Sequence, residues 1–172
     1  MLKKQGKIRY YGLSNVHKED LQEIENENPF VCFQDEYSLA CRKNEQDMMR
    51  LSKEYNMTPL TWGSLGQGIL SGKYDKNCTF EKNDRRSRDI YVNFHGQKLL
   101  KNLEIVEVLK EIAQQVNKSV SAVAIRWILD YLSNSVVLAG VKNSQQVIQN
   151  MQALDWKLTK EQIERLNIIS KE

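Results

Sequence analysis

The sequence predicts an α/β fold built on a parallel sheet. Two observations carry that prediction. Four short segments rich in strand formers alternate with amphipathic helical segments, the pattern of βαβ units. Each of those strands also runs into a polar or glycine-bearing turn, at residues 14–15, 34–38, 63–68 and 140–143. In parallel α/β folds such turns gather on one rim of the sheet, where ligands bind.

The elements follow in order. Residues 2–5 read as the last turn of a helix: Lys3 and Lys4 suit the negative end of the helix dipole, and Gly6 is a natural terminator. Residues 7–13 alternate and form the first strand. From His17 to Glu27, Leu21 and Ile24 fall at helical spacing. "PFVCFQDEYS" is a buried strand. Lys43 to Tyr55 carries Met48, Met49 and Leu51 in a helical register, with the methionines as core filler. "MTPLTWGS" is the third strand. Residues 75–98 form a long loop, polar through "EKNDRRSRD" and without periodicity, and loops of this length in compact domains are commonly functional. Leu99 to Asn117 returns to a strong helical pattern. Ser119 caps a further helix, "SVVLAGV" is the fourth strand, and "NSQQVIQNMQAL" is a helix opening on an Asn/Ser cap. Thr159 caps the last helix, with Ile163, Leu166 and Ile169 on one face. Tyr10 and Tyr37 read as strand packing.

The chain has 172 residues, the size of one domain, with 41% hydrophobic and 27% charged residues. A net charge of +3, interleaved with acidic residues, is too mild for nucleic acid. The apolar "SVSAVAIRWIL" helix does not suit a DNA groove. The absence of a run of roughly 18 apolar residues argues against a membrane span, and the N-terminal stretch has no signal-peptide core. Cys32, Cys41 and Cys78 share no metal-ligand spacing and read as reduced thiols, an expectation of a cytoplasmic setting. His17 and His95 suggest no metal site.

Six segments occur in series: "GKIRYYGLSN", "FQDEYSLACR", "PLTWGSLGQGILSGKY", "NLEIVEVLKEIA", "SAVAIRWIL" and "VVLAGVKNSQQVIQNMQALDWKLTKEQIERL". Together they resemble the C-terminal half of an aldo-keto reductase, of the bacterial general-reductase and potassium-channel beta-subunit branch. The branch rests on the Trp at the end of the third strand and the "GxKN" after the last. The resemblance covers essentially residues 1–172. It implies strands five to eight of a (β/α)8 TIM barrel, parallel and with flanking helices, and extended NADP(H) bound across the rim.

The resemblance also implies roles. Ser14, Asn15 and Gln34 would hydrogen-bond the nicotinamide carboxamide, and Trp62 would stack on its ring. Gly63, Ser64 and Leu65 would line the pyrophosphate through backbone N–H groups, with Lys73 pairing its charge. Arg85, or a neighbour in "DRRSR", would reach over the adenosine side from a closing loop. Gly140, Lys142, Gln146, Gln149 and Asn150 match the adenosine-phosphate cluster at a helix N-terminus, with Lys142 the contact to a 2′-phosphate. Three positions depart from common family patterns: Gly63 replaces a frequent Ser, Ser64 a frequent Pro, and Gln149 a usual Glu. Outside the resemblance, Trp62 reads as a core aromatic, Asn15 as a cap and Lys142 as a surface lysine.

The family chemistry uses an Asp, Tyr, Lys and His tetrad, the Tyr protonating the carbonyl oxygen as hydride arrives. No residue of this sequence stands in the tetrad's context, so none is assigned as catalytic. The expectation is the C-terminal portion of an NADP(H)-dependent carbonyl reductase, inactive alone. The alternative is a non-catalytic NADP(H)-binding or regulatory module. A complete barrel is typically about 250 residues, so half a barrel would leave two strand edges open to pairing. The expectation is that the isolated chain pairs with an N-terminal half-barrel chain, pairs with a second copy or is poorly stable, and a small carbonyl compound is the expected substrate of the complete enzyme.

Overall fold

The computed structural model describes residues 2–16, 20 and 29–171. Its centre is a four-stranded parallel sheet in the order β1 (Gly12–Ser14), β2 (Cys32–Glu36), β3 (Thr58–Trp62) and β4 (Val136–Val137). The helices are α1 (Glu45–Glu54), α2 (Gly96–Val116), α3 (Val120–Tyr131), α4 (Ser144–Met151) and α5 (Lys160–Ser170). The helix expected over 17–27, with His17, Leu21 and Ile24, lies outside the described residues.

The register divides the sheet into two faces, because side chains alternate along each strand and registered partners share a side. Leu13, Phe33, Asp35, Pro59, Thr61 and Val137 point to the helices. Phe33, Asp35, Pro59 and Thr61 are buried there. The facing core comes from the helices: Met48 and Leu51 of α1, Val106, Leu109 and Ile112 of α2, Trp127 and Ile128 of α3, Leu166 of α5. Each such side chain stabilises the fold by about 1.5–3 kcal/mol through burial. On the opposite face, Gly12, Ser14, Cys32, Gln34, Glu36, Thr58, Leu60, Trp62 and Val136 are all at least partly exposed.

Helix boundaries follow their caps. Residues 2–7 close a Schellman motif: Lys7 N–H donates to the Leu2 carbonyl at 3.1 Å and Gly6 N–H to that of Lys3 at 3.0 Å. Gly6 takes the left-handed conformation this needs, at φ 66°. Ser119 Oγ accepts from Ala122 N–H, Asn143 Oδ1 from Gln146 N–H, and Thr159 and Gln162 form a reciprocal capping box.

Three expectations are corrected. The first strand spans Gly12–Ser14, not 7–13, and Tyr10 is 67% exposed instead of packed. β1 has one neighbour among the described strands, and alternation without a pairing partner does not make a strand. The fourth strand shortens to Val136–Val137 for the same reason. The long loop ends at His95, because α2 already starts at Gly96. Tyr37, by contrast, is fully buried as expected.

Candidate functional site

The turn after β3 packs down as a 3-10 segment, Gly66–Ser71, whose internal bonds use the amides of Gly66, Gly68 and Leu70. Opposite it lies the stretch after β4, leading to the N-terminus of α4. Between them runs a cleft of about 920 Å³. Ten of the fourteen residues that the sequence singles out line it: Gly63, Ser64, Leu65, Lys73, Arg85, Gly140, Lys142, Gln146, Gln149 and Asn150. The other four sit on the strand ends beside it. Ser14 is in register with Gln34, Asn15 N–H donates to the Gln34 carbonyl at 2.8 Å, and Trp62 directly precedes Gly63.

The local geometry refines several of these residues. Ser64 is buried, its hydroxyl donating to the Thr61 carbonyl at 3.0 Å and lying 2.9 Å from Thr61 Oγ1, so only its backbone can serve the cleft. Gly63 has φ +64°. A Cβ there would stand 3.1 Å from Glu36 Cγ and Oε1, so backbone strain and the Glu36 side chain both disfavour a serine. At the far end, Gln146 Oε1 accepts from Lys142 N–H at 2.7 Å, folding the 140–143 turn onto α4. Ser119 Oγ donates to the Gln149 carbonyl at 2.9 Å and ties α4 to the start of α3.

Residues 75–95 form a strap along one wall. Its hub is aromatic: Tyr74, Phe80 and Phe94 meet with ring centroids 5.1–5.7 Å apart. The Arg86 guanidinium lies over Phe80 at 4.6 Å, donates to the Tyr74 hydroxyl and pairs with Asp84, Nε to Oδ1 at 2.8 Å. Asp84 also accepts from Arg86 N–H at 3.0 Å and caps a short 3-10 turn, Arg85–Ser87. His95 Nε2 lies 2.9 Å from the Arg86 carbonyl. Arg85 is exposed at the cleft wall, and Lys73 Nζ sits 4.8 Å from the Tyr74 ring centroid. Among the described residues the lining carries the cations Lys73, Arg85, Arg86 and Lys142 against the single carboxylate Asp84, which Arg86 already pairs. Such a cleft is chemically suited to a polyanion.

Sequence reasoning missed Gln67, Tyr74, Asp84 and Tyr91 as lining residues, and reached Arg86 only as one of the neighbours offered beside Arg85. The available signal was the Asp84-x-Arg86 spacing of a side-chain-capped turn, and three aromatic residues within or bordering an otherwise polar stretch.

The Asp84 carboxyl lies below the ordinary aspartate range, first because of its hydrogen bonds from Arg86 and further through the Arg86 and Lys142 charges. A depressed pKa means that the pair persists above the unfolded value and is lost as pH falls toward the folded one. The strap should therefore stay protected down to about pH 4 and loosen below it, while Asp84→Asn loosens it at neutral pH. Hydrogen exchange of the 84–95 amides reads both. A wild-type strap that frays between about pH 7 and 5 contradicts the assignment.

A model of the aldo/keto reductase family matches residues 1–171. The aldo-keto reductase YhdN of Bacillus subtilis is 32% identical over 165 residues, covering 95% of this chain and 49% of that protein. The aldo-keto reductase yakc [NADP(+)] of Schizosaccharomyces pombe is 29% identical over 157 residues, covering 90% and 46%. Among solved structures, a glycerol dehydrogenase from Gluconobacter oxydans superposes with a TM-score of 0.87 at 30% identity, covering 98% of this chain and 50% of that one. The chain thus spans about half the length of the relatives it matches. Among the described residues no helix is long and apolar enough to cross a membrane.

Proposed function

The chain belongs to the aldo/keto reductase family, and from that premise we propose that it is the cofactor-holding C-terminal portion of an NADP(H)-dependent carbonyl reductase. One observation carries the reading. Residues from four separate segments, assigned to one dinucleotide by resemblance, line one cleft with an excess of cations. By resemblance Lys73 would pair with the pyrophosphate charge, Arg85 would reach over the adenosine side and Lys142 would meet a 2′-phosphate. That lysine, together with the NADP(+) in the name of the Schizosaccharomyces relative, favours NADP(H) over NAD(H). Ser14, Asn15, Gln34 and Trp62 would hold the nicotinamide end beside the open sheet face.

The chemistry follows from what these residues can do. The cofactor supplies hydride when bound. This chain's residues would bind its phosphates, orient its ring and, through the strap, exclude water. No residue here is assigned the proton donated to the carbonyl oxygen, so the acid, and with it turnover, belongs to an N-terminal half barrel. Three features support that partner: the coverage of half of each relative, the outer edges of β1 and β4, and the exposed apolar side chains beyond β4. Ile148 and Met151 of α4 are each 57% exposed. Eight parallel strands close a barrel and remove both edges; a second copy supplies four strands equally well.

Titrating NADPH into the purified chain tests the cofactor reading. Saturable quenching of tryptophan fluorescence is expected. Lys142→Ala should weaken NADPH about tenfold and leave NADH unchanged. No binding at about millimolar NADPH sinks the reading.

A further inference from the structure

Glu36 ends a chain of side-chain amides that neither the family resemblance nor the cleft explains. Gln67 Nε2 donates to Glu36 Oε1 at 3.4 Å, and Asn93 Nδ2 donates to Gln67 Oε1 at 2.8 Å. Asn102 Nδ2 donates to Asn93 Oδ1 at 3.1 Å and to the Asn93 carbonyl at 3.2 Å. Asn102 and Asn93 are buried. Each amide sets the next one's direction. With its oxygen committed to Asn102, Asn93 turns its NH2 to the Gln67 oxygen. Gln67 must then present its own NH2 outward, and the group it meets is the Glu36 carboxylate, an acceptor. The relay runs from the core of α2, through the end of the strap, to the strand-end rim.

Glu36 lies on the open face of the sheet, two residues beyond Gln34 and in register with Trp62. Its Oε1 is 3.1 Å from where a Cβ on Gly63 would stand. Burial raises the carboxyl above its ordinary range and Asp35 adds to that, while Lys43 and a hydrogen bond with Cys41 oppose it. Resting on the proposed function, this places a carboxylate on the same face as the nicotinamide contacts. The nicotinamide ring carries a positive charge when oxidised and none when reduced, the difference being one hydride. A fixed negative charge beside it favours the oxidised form. The same charge repels the pyrophosphate, but equally in both oxidation states, so that repulsion cancels in the ratio of the two affinities. We propose that Glu36, aimed by Gln67, Asn93 and Asn102, sets the balance between oxidised and reduced cofactor in favour of the oxidised one.

Calorimetric titration of the chain with NADP+ and with NADPH at about pH 8, above the carboxyl range, tests this. Glu36→Gln should shift the ratio of the two dissociation constants roughly fivefold toward NADPH. Combining Glu36→Gln with Gln67→Glu returns the charge to the pair, reverses its donor and acceptor, and should move the ratio back toward wild type. Circular dichroism matching wild type establishes that both near-isosteric variants fold. If Glu36→Gln does not fold, Glu36→Ala is read in its place: a shift of the ratio toward NADPH supports the proposal, and an unchanged ratio overturns it. Binding of both cofactors with a ratio that Glu36→Gln leaves unchanged overturns the proposal and spares the cofactor reading. Binding of neither by wild type sinks the reading, and the proposal falls with it.

Discussion

Replacing Arg42 with alanine should lower the stability of the chain by about 3 kcal/mol, read as a fall in the urea midpoint with little change in slope. The size follows from what the guanidinium holds. Its Nε and Nη2 grip both oxygens of Glu45 at 2.5 and 2.7 Å, and its Nη1 donates to Ser170 Oγ at 2.8 Å and the Asn167 carbonyl at 3.2 Å. The same group stacks 5.1 Å from the Trp127 ring and 5.2 Å from that of Tyr131. One side chain thus joins the start of α1 to α3 and α5. The pair is largely dry, with side chains 8% and 19% exposed. Removing the cation strands the Glu45 carboxylate beside the Tyr37 hydroxyl, which donates to it at 2.6 Å. Burial, then the Glu45 contact, raises the Tyr37 phenol beyond any working pH, so it stays protonated and keeps donating. That neutral donor and the longer one from the Tyr131 hydroxyl, at 3.5 Å to Glu45 Oε1, do not replace a bidentate cation. Arg42→Lys should recover less than half of the loss, because an ammonium offers neither the fork nor the flat stacking face. A midpoint unchanged in Arg42→Ala would show that the cluster is incidental.

Part of this architecture was legible in the sequence and part was not, for physical reasons. Caps are local, so Ser119, Asn143 and Thr159 could be read from residues three or four apart, as could the Gly6 terminator. Strand lengths depend on partners, so β1 and β4 came out longer on paper than in the fold. Segments 63–65, 73, 85 and 140–150 could be joined only through resemblance, because nothing in local periodicity predicts a shared cleft. Two features were harder to read. The 75–98 stretch was legible as a long functional loop carrying an arginine, but the packing of Arg86 on Tyr74, Phe80 and Phe94 was not, although those residues carried an aromatic signal. The Glu36–Gln67–Asn93–Asn102 relay spans separations of 31, 26 and 9 residues. Its one local trace is Asn102, a polar residue on the buried stripe of α2 between Leu99 and Ile105.

Mixing this chain with the N-terminal half of a full-length relative such as the Bacillus protein should produce NADPH-dependent aldehyde reduction that neither half shows alone. The proposed division of labour sets the magnitude. A positioned general acid contributes about a hundredfold to ten-thousandfold, and without one the isolated chain should be at least about a hundredfold slower than the reconstituted pair. Assembly has its own driving force. The β1 and β4 edges each gain a strand, the exposed Ile148 and Met151 of α4 gain neighbours, and the half-exposed face bearing Gln34, Leu60 and Trp62 becomes an interior. The mixture should therefore also unfold at higher denaturant than the chain alone, and size-exclusion chromatography should show one species of each half. If the chain instead migrates as a stable pair of its own copies, a second copy has supplied the four strands, and added N-terminal half should give neither activity nor extra stability. Full aldehyde reduction by the unassisted chain would refute the division of labour, because it would require an acid among residues to which none is assigned.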